Sequence, residues 1–207
     1  MCWVAALGAG LSAPGYAPDV GFDAVILAGG AGSRLGGRDK AELDLGAGRL
    51  LDLALAAVEA ADRKIVVGPP RSPLAGVESA REDPVGSGPV AALAAALRKV
   101  SAPVTMVLAV DLPRIGPEPI RKLVSALADT DADAAVAIDA GGRVQPLLAA
   151  YRTEALRAAM TRLGDTTNAS MSALISGLTT AKVSEPDAAR DIDTLEDLRA
   201  FGGDDAR

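Results

Sequence analysis

The feature that most constrains this chain is a rhythm in which short apolar runs, each stopped by glycine, proline or aspartate, alternate with stretches long enough to be helices. Run length and period predict strands over residues 23–28, 64–67, 104–110, 133–138, 145–151 and 178–183. Helices are predicted over 49–62, 118–129, 153–163 and 195–200, with a further one running from a Ser87 cap to about Val100 and carrying Pro89 in its first turn. Strands and helices in this order bury both faces of a sheet only as the α/β class, a Rossmann-like, mostly parallel sheet with helices on both faces. Hydrophobic residues make up 49% of the chain but aromatic ones only 2%, so the core must be built from Ala, Leu and Val.

A length of 207 residues suits a single domain. That domain is expected over 22–202, between a leader at 1–21, expected to be poorly ordered, and a short tail at 203–207. The leader is rich in Gly and Pro and lacks the basic start of an export signal. Its apolar run falls short of the roughly 20 residues a membrane helix needs. The single cysteine, Cys2, offers no intramolecular disulfide. A cytoplasmic protein is expected, as a monomer or weak homo-oligomer.

Charge and composition exclude several chemistries. Lys and Arg number 21 against 27 Asp and Glu, a net charge of −6, which disfavours non-specific binding to nucleic acid or to an anionic membrane. An anionic ligand would need a local basic cluster. The chain has no histidine, so Ser-His-Asp and Cys-His catalysis, His-ligated zinc and a histidine base are all ruled out. Catalysis must use carboxylates, Lys, Arg or a metal, and a metal would be a hard, oxygen-liganded ion such as Mg²⁺.

Open α/β sheets bind ligands at the carboxyl ends of their strands, which singles out the segments after Ala28 and Val110. The first reads Leu27-Ala28-Gly29-Gly30-Ala31-Gly32-Ser33-Arg34-Leu35-Gly36-Gly37-Arg38-Asp39-Lys40. Its glycines allow close backbone approach to phosphate, and Arg34, Arg38 and Lys40 supply local positive charge. A dinucleotide fingerprint fits poorly, because Gly36 has the wrong spacing and the next strand ends in Gly68-Pro69 rather than an acidic residue. A P-loop fails because Arg38-Asp39 follows Gly37 where Lys-Ser or Lys-Thr is required. A plain solvated turn is the remaining alternative. Asp111 follows the most hydrophobic run; it is read either as a turn or cap aspartate or as a carboxylate for a hard cation bridging phosphates.

These residues resemble the molybdenum cofactor nucleotidyltransferase family, and most closely its guanylyltransferase branch. The resemblance is carried by Leu27-Ala28-Gly29-Gly30, Arg34-Leu35-Gly36-Gly37 and Asp39-Lys40, then by a second glycine loop over 83–93 and by Asp111-Leu112-Pro113. Gln145-Pro146-Leu147 and the segment 191–198 follow in order, so the match spans about residues 23–201. It implies a nucleotidyltransferase fold with Leu27, Ala28, Gly29 and Gly30 at the nucleotide and Arg34 and Lys40 at its phosphates. It further implies Asp83, Gly86 and Gly88 at the base and ribose, Asp111 on Mg²⁺ and Asp193 closing the metal site. For Asp193 a helix cap is the competing reading.

The resemblance also implies a chemistry that needs no histidine. A terminal phosphate of molybdopterin, with a second pKa of about 6, arrives largely dianionic and attacks the α-phosphorus of GTP. Catalysis then reduces to alignment and charge stabilisation, with Arg34, Lys40 and Asp111 as the catalytic candidates. CMP transfer to the same cofactor, nucleotidyl transfer to another small phosphate or sugar phosphate, and a non-catalytic nucleotide-binding protein stay open as alternatives. The implied partners are GTP and the molybdenum cofactor, with molybdoenzymes or cofactor-handling proteins as recipients. Arg143 and Arg152 are candidates either for an anionic acceptor or for solvated surface.

Overall fold

The computed structural model of the chain describes residues 20–29 and 38–202. Seven strands form one sheet: β1 (Phe22–Leu27), β2 (Arg63–Val67), β3 (Val77–Ala80), β4 (Val104–Ala109), β5 (Ala134–Ile138), β6 (Val144–Arg152) and β7 (Thr180–Ser184). Their order across the sheet is β3-β2-β1-β4-β6-β5-β7. Only β6 runs antiparallel to its neighbours β4 and β5, and the other pairings are parallel. The helices are α1 (Leu50–Ala57), α2 (Pro89–Leu97), α3 (Pro117–Ala128), α4 (Thr153–Leu163), α5 (Met171–Ile175) and α6 (Leu195–Ala200). Apart from Val20 and Gly21, the leader lies outside the described residues, as does the tail.

The period of two along each strand sorts side chains onto two apolar layers. Ala24, Ile26, Met106 and Leu108 pack on one face with Leu50, Leu51 and Ala54 of α1 and Ile120, Leu123 and Leu127 of α3. Val25, Leu27, Ile65, Val67 and Val107 pack on the other with Leu93 and Ala96 of α2, Leu156 of α4 and Met171 and Leu174 of α5. All six residues of β1 are buried, as befits a central strand covered on both sides. At the edge remote from the strands' carboxyl ends, buried Asp23 accepts hydrogen bonds from the backbone N–H groups of Ser101 (2.6 Å) and Ala102 (3.0 Å), tying the start of β1 to the approach to β4. Among the described residues no helix is long and apolar enough to cross a membrane.

Several expected elements change. The helix expected over 49–62 ends at Ala57, because the chain tightens into turns there and Asp62 N–H is taken by the carbonyl of Phe22 at 2.9 Å. β3 was not expected: it is an edge strand with a single large apolar residue, Val77. α5 was also missed, being five residues long behind a Ser170 cap that accepts from Ala173 N–H at 3.1 Å. Ser87 does not cap α2. The cap position belongs to Gly88, at φ 89°, while buried Ser87 donates its hydroxyl to the carbonyl of Pro84.

Entry to β5 is held by Asp133, whose Oδ2 accepts from the backbone N–H (2.8 Å) and hydroxyl (2.7 Å) of Thr179. These hydrogen bonds from Thr179 hold the carboxyl below its usual pKa. A depressed carboxylate contributes stability above its unfolded pKa and loses it as pH falls through the folded value. Asp133→Asn is therefore expected to lower the urea midpoint at pH 7, with the gap to wild type closing below about pH 4; a gap independent of pH would contradict the assignment.

Candidate active site

β1 and β4 lie side by side and end together, and the backbone continues to fasten them beyond the strands. Val110 N–H donates to the carbonyl of Leu27 at 3.1 Å, and Ala28 N–H to that of Val67 at 2.8 Å. Leu27 and Ala28 are thereby buried at the carboxyl edge, with Gly29 exposed beyond them. Gly68 must be glycine here, since a Cβ would stand 2.6 Å from the carbonyl oxygen of Ala28.

Lys40 opens a 3-10 turn, Lys40–Glu42, capped by Asp39, whose Oδ1 accepts from Ala41 N–H at 3.1 Å. Its Nζ donates to Asp111 Oδ2 and to Asp193 Oδ1, each at 2.8 Å. Asp111 is placed by the end of β4. Asp193 is brought beside it by a backbone bond from Ile192 N–H to the carbonyl of Asp111 at 3.0 Å. The helix-cap reading of Asp193 does not hold: Thr194 caps α6 and forms a capping box with Asp197, which leaves the Asp193 carboxylate facing Lys40. Burial works against the charge on Lys40, but the hydrogen bonds and charges of Asp111 and Asp193 outweigh it and hold the ammonium above the usual lysine pKa. Asp191 is pushed the other way for a carboxylate, upward, by desolvation and by the charges of Asp193 and Asp111.

Two carboxylates aimed at one cation are hard oxygen donors of the kind Mg²⁺ uses. Among the described residues no three acidic, Cys or His side chains form a metal cage by themselves. The donor set therefore fits an ion that takes one or two carboxylates and fills its remaining positions with phosphate oxygens and water.

The second glycine turn follows β3 at the same edge of the sheet, two strands from β1. Gly86 and Gly88 adopt φ of 81° and 89°, which favours glycine, and Asp83 is exposed beside them. Asn168, itself at φ 55°, donates its N–H to the carbonyl of Ser87 at 2.7 Å and so docks the segment before α5 onto this turn. Among the described residues no hydrogen bond joins Asp83 to Lys40 or Asp111. Gly30 and Arg34 lie outside the described residues.

Because β6 runs antiparallel, its beginning rather than its end reaches the ligand edge. Leu108 pairs with Leu148, β6 bulges between Gln145 and Ala149, and the Gln145 amide donates to Asp139 Oδ2 at 2.7 Å. Arg152, at the other end of β6, faces away from the site. Its guanidinium donates to the carbonyls of Ala132, Leu127 and Thr130, which makes it a structural clamp on the end of α3 rather than an acceptor ligand. Arg143 stands 3.4 Å from Asp139 at the β5–β6 turn, 81% exposed.

No pattern in the sequence singles out Arg71, which follows Pro69-Pro70 after β2. Its side chain is only 12% exposed. Nη2 donates to the carbonyl of Ala28 (3.1 Å) and to Asp39 Oδ2 (2.5 Å), Nη1 donates to the carbonyl of Pro69 (3.1 Å), and Nε lies 3.5 Å from Glu42 Oε1.

An open, mostly parallel sheet with a glycine turn, an ammonium and paired carboxylates at its carboxyl edge defines a nucleotide-handling α/β enzyme. Residues 24–182 match the MobA-like NTP transferase domain, and the chain belongs to that family of nucleotidyltransferases. It is 33% identical over 187 residues, 86% of this chain and 93% of the other, to a probable molybdenum cofactor guanylyltransferase of Mycolicibacterium paratuberculosis. Its fold is similar to that of molybdopterin-guanine dinucleotide biosynthesis protein A from Archaeoglobus fulgidus, at a TM-score of 0.66 and 22% identity over 87% of this chain and 96% of that one. It is equally similar to 2-C-methyl-D-erythritol 4-phosphate cytidylyltransferase from Thermus thermophilus, at a TM-score of 0.65 and 22% identity over 86% and 96%.

If the Lys40 ammonium and a divalent cation compete for the same two carboxylates, removing the ammonium should free them. Lys40→Met is expected to bind Mn²⁺ about tenfold more tightly without nucleotide, the scale of a partly screened charge contact. Titration followed by electron paramagnetic resonance measures this; unchanged or weaker binding would show that Lys40 does not occupy the cation's place.

Proposed function

We propose that the chain transfers GMP from GTP to the terminal phosphate of molybdopterin, releasing pyrophosphate and forming the guanine dinucleotide form of the molybdenum cofactor. The observation that carries this reading is the convergence of Lys40, Asp111 and Asp193 at the carboxyl edge of β1 and β4. The guanylyltransferase name of the mycobacterial relative supports the nucleotide and the acceptor.

In this reading Leu27, Ala28, Gly29 and Gly30 hold the nucleotide, and Arg34 and Lys40 hold its phosphates. Asp83, Gly86 and Gly88 line the base and ribose side. Asp111 and Asp193 would hold Mg²⁺, which supplies charge neutralisation on the triphosphate when bound. An oxygen of the acceptor phosphate forms the new bond to the α-phosphorus as the bond to the bridging oxygen of pyrophosphate breaks. The acceptor is already deprotonated at neutral pH, so no side chain has to remove a proton. Lys40 is suited to the leaving pyrophosphate, because its ammonium stays charged across the physiological range. The work of the chain is alignment and charge placement. Such an enzyme would work in the cytoplasm and pass its product to molybdoenzymes or to proteins that handle the cofactor.

Purified protein with Mg²⁺, molybdopterin and GTP is expected to yield the guanine dinucleotide and pyrophosphate, and Asp111→Ala is expected to lower the rate by at least about 100-fold. Preference for CTP over GTP would move the chain to the cytidylyl activity. No dinucleotide from any triphosphate, or full activity in Asp111→Ala, would overturn the proposal.

A further inference from the structure

Lys40 can serve two carboxylates and a triphosphate only if its backbone is held at a set distance from the end of β1. Among the described residues, Arg71 is placed to do this. A single nitrogen of Arg71, Nη2, donates both to the Ala28 carbonyl at the exit of β1 and to Asp39, the residue before Lys40. The other oxygen of Asp39 caps the turn from which the Lys40 side chain departs. Nη1 is fixed on the Pro69 carbonyl, and Gly68 leaves the space for this approach, since a Cβ there would come 3.1 Å from Nη1.

We propose that Arg71 is the positioning residue of the active site, a buried guanidinium that locks the exit of β1, the exit of β2 and the Asp39 cap together so that the Lys40 ammonium meets Asp111 and Asp193. Arg71 does not touch the nucleotide in this role. Its side chain is 12% exposed, and both terminal nitrogens are already engaged by the protein. A planar fork can reach a carbonyl on one side and a carboxylate on the other, which the point charge of lysine cannot. The role in turnover rests on the proposed reading of Lys40 as a phosphate-side cation; the placement of Lys40 does not.

The test is the rate at which an amine-acylating reagent labels Lys40, read by peptide mass spectrometry on the full chain without nucleotide, with Lys64 as internal control. Arg71→Met is expected to raise labelling of Lys40 several-fold and to leave Lys64 unchanged. Arg71→Lys should restore the wild-type rate only in part, and Asp39→Asn should raise it. The Arg71→Met/Asp39→Asn double variant should label no faster than the faster single, because both act through one contact. Arg152→Met, which removes an arginine with carbonyl partners at the far edge of the sheet, should lower the melting temperature yet leave Lys40 labelling at the wild-type rate.

With GTP and Mg²⁺, kcat/KM for Arg71→Met should fall by about 100-fold, the cost of a misplacement near 1 Å. Wild-type labelling of Lys40 in Arg71→Met would overturn the proposal. Where Arg71→Met does not fold, wild-type labelling in both Arg71→Lys and Asp39→Asn would overturn it equally. If labelling responds as expected while wild type transfers no nucleotide, the placement of Lys40 by Arg71 stands and the reading of the substrate fails.

Discussion

One ammonium between two carboxylates joins three distant parts of this chain. Lys40 is 71 residues from Asp111 and 153 from Asp193, yet its Nζ stands 2.8 Å from both. Without a cation the two carboxylates would repel, and Asp191 adds further negative charge nearby. Burial first, and the charges of Asp193 and Asp111 after it, push Asp191 upward. The site is thus built around a positive charge, and a transferase acting on a triphosphate can exchange one cation for another there without rebuilding the fold.

What brings the three together is the sheet. Parallel neighbours β1 and β4 end at one edge, the bond from Val110 to Leu27 keeps them level, and Ile192 hangs Asp193 on the carbonyl of Asp111. Alanine and glycine do much of the remaining work. Small side chains at 24, 54, 96, 135, 149 and 150 allow helices and strands to pack closely with hardly any aromatic residues, and Gly68 admits the Ala28 carbonyl where any other residue would clash. The antiparallel β6 has a consequence for function: it turns the start of its strand, with Gln145, toward the edge that Asp111 occupies.

Much of this architecture was legible in the sequence because it depends on local pattern. The central strands read as apolar runs stopped by glycine, proline or aspartate. α4 and α6 were placed to the residue by their period and flanking residues. What escaped depends on tertiary partners. β3 carries Glu78 and Ser79 and is a strand only because β2 offers an open edge. Ser87 looked like a cap but turns inward, leaving Gly88 to begin α2. Arg152 looked like a free cation but spends its donors on backbone carbonyls. At the site, the grouping of Lys40 with Asp111 followed from the rule that ligands gather at carboxyl ends of strands, whereas Asp193 was divided between two readings until Thr194 and Asp197 proved to cap the helix. The Thr-x-x-Asp spacing held that information. Nothing local marks Arg71, whose meaning lies in a carbonyl and a carboxylate far from it in the chain.

If this edge of the sheet holds a guanine triphosphate through a cation shared with Asp111, thermal unfolding of the full chain with GTP, CTP, UTP or ATP, each with Mg²⁺ and again with chelator, will report it. A ligand at about 100 times its dissociation constant adds roughly 2.7 kcal/mol to stability. An upward shift in melting temperature is expected for GTP with Mg²⁺, lost with chelator and in Asp111→Asn. A GTP shift that persists in chelator, or the absence of a shift with every triphosphate, would contradict it.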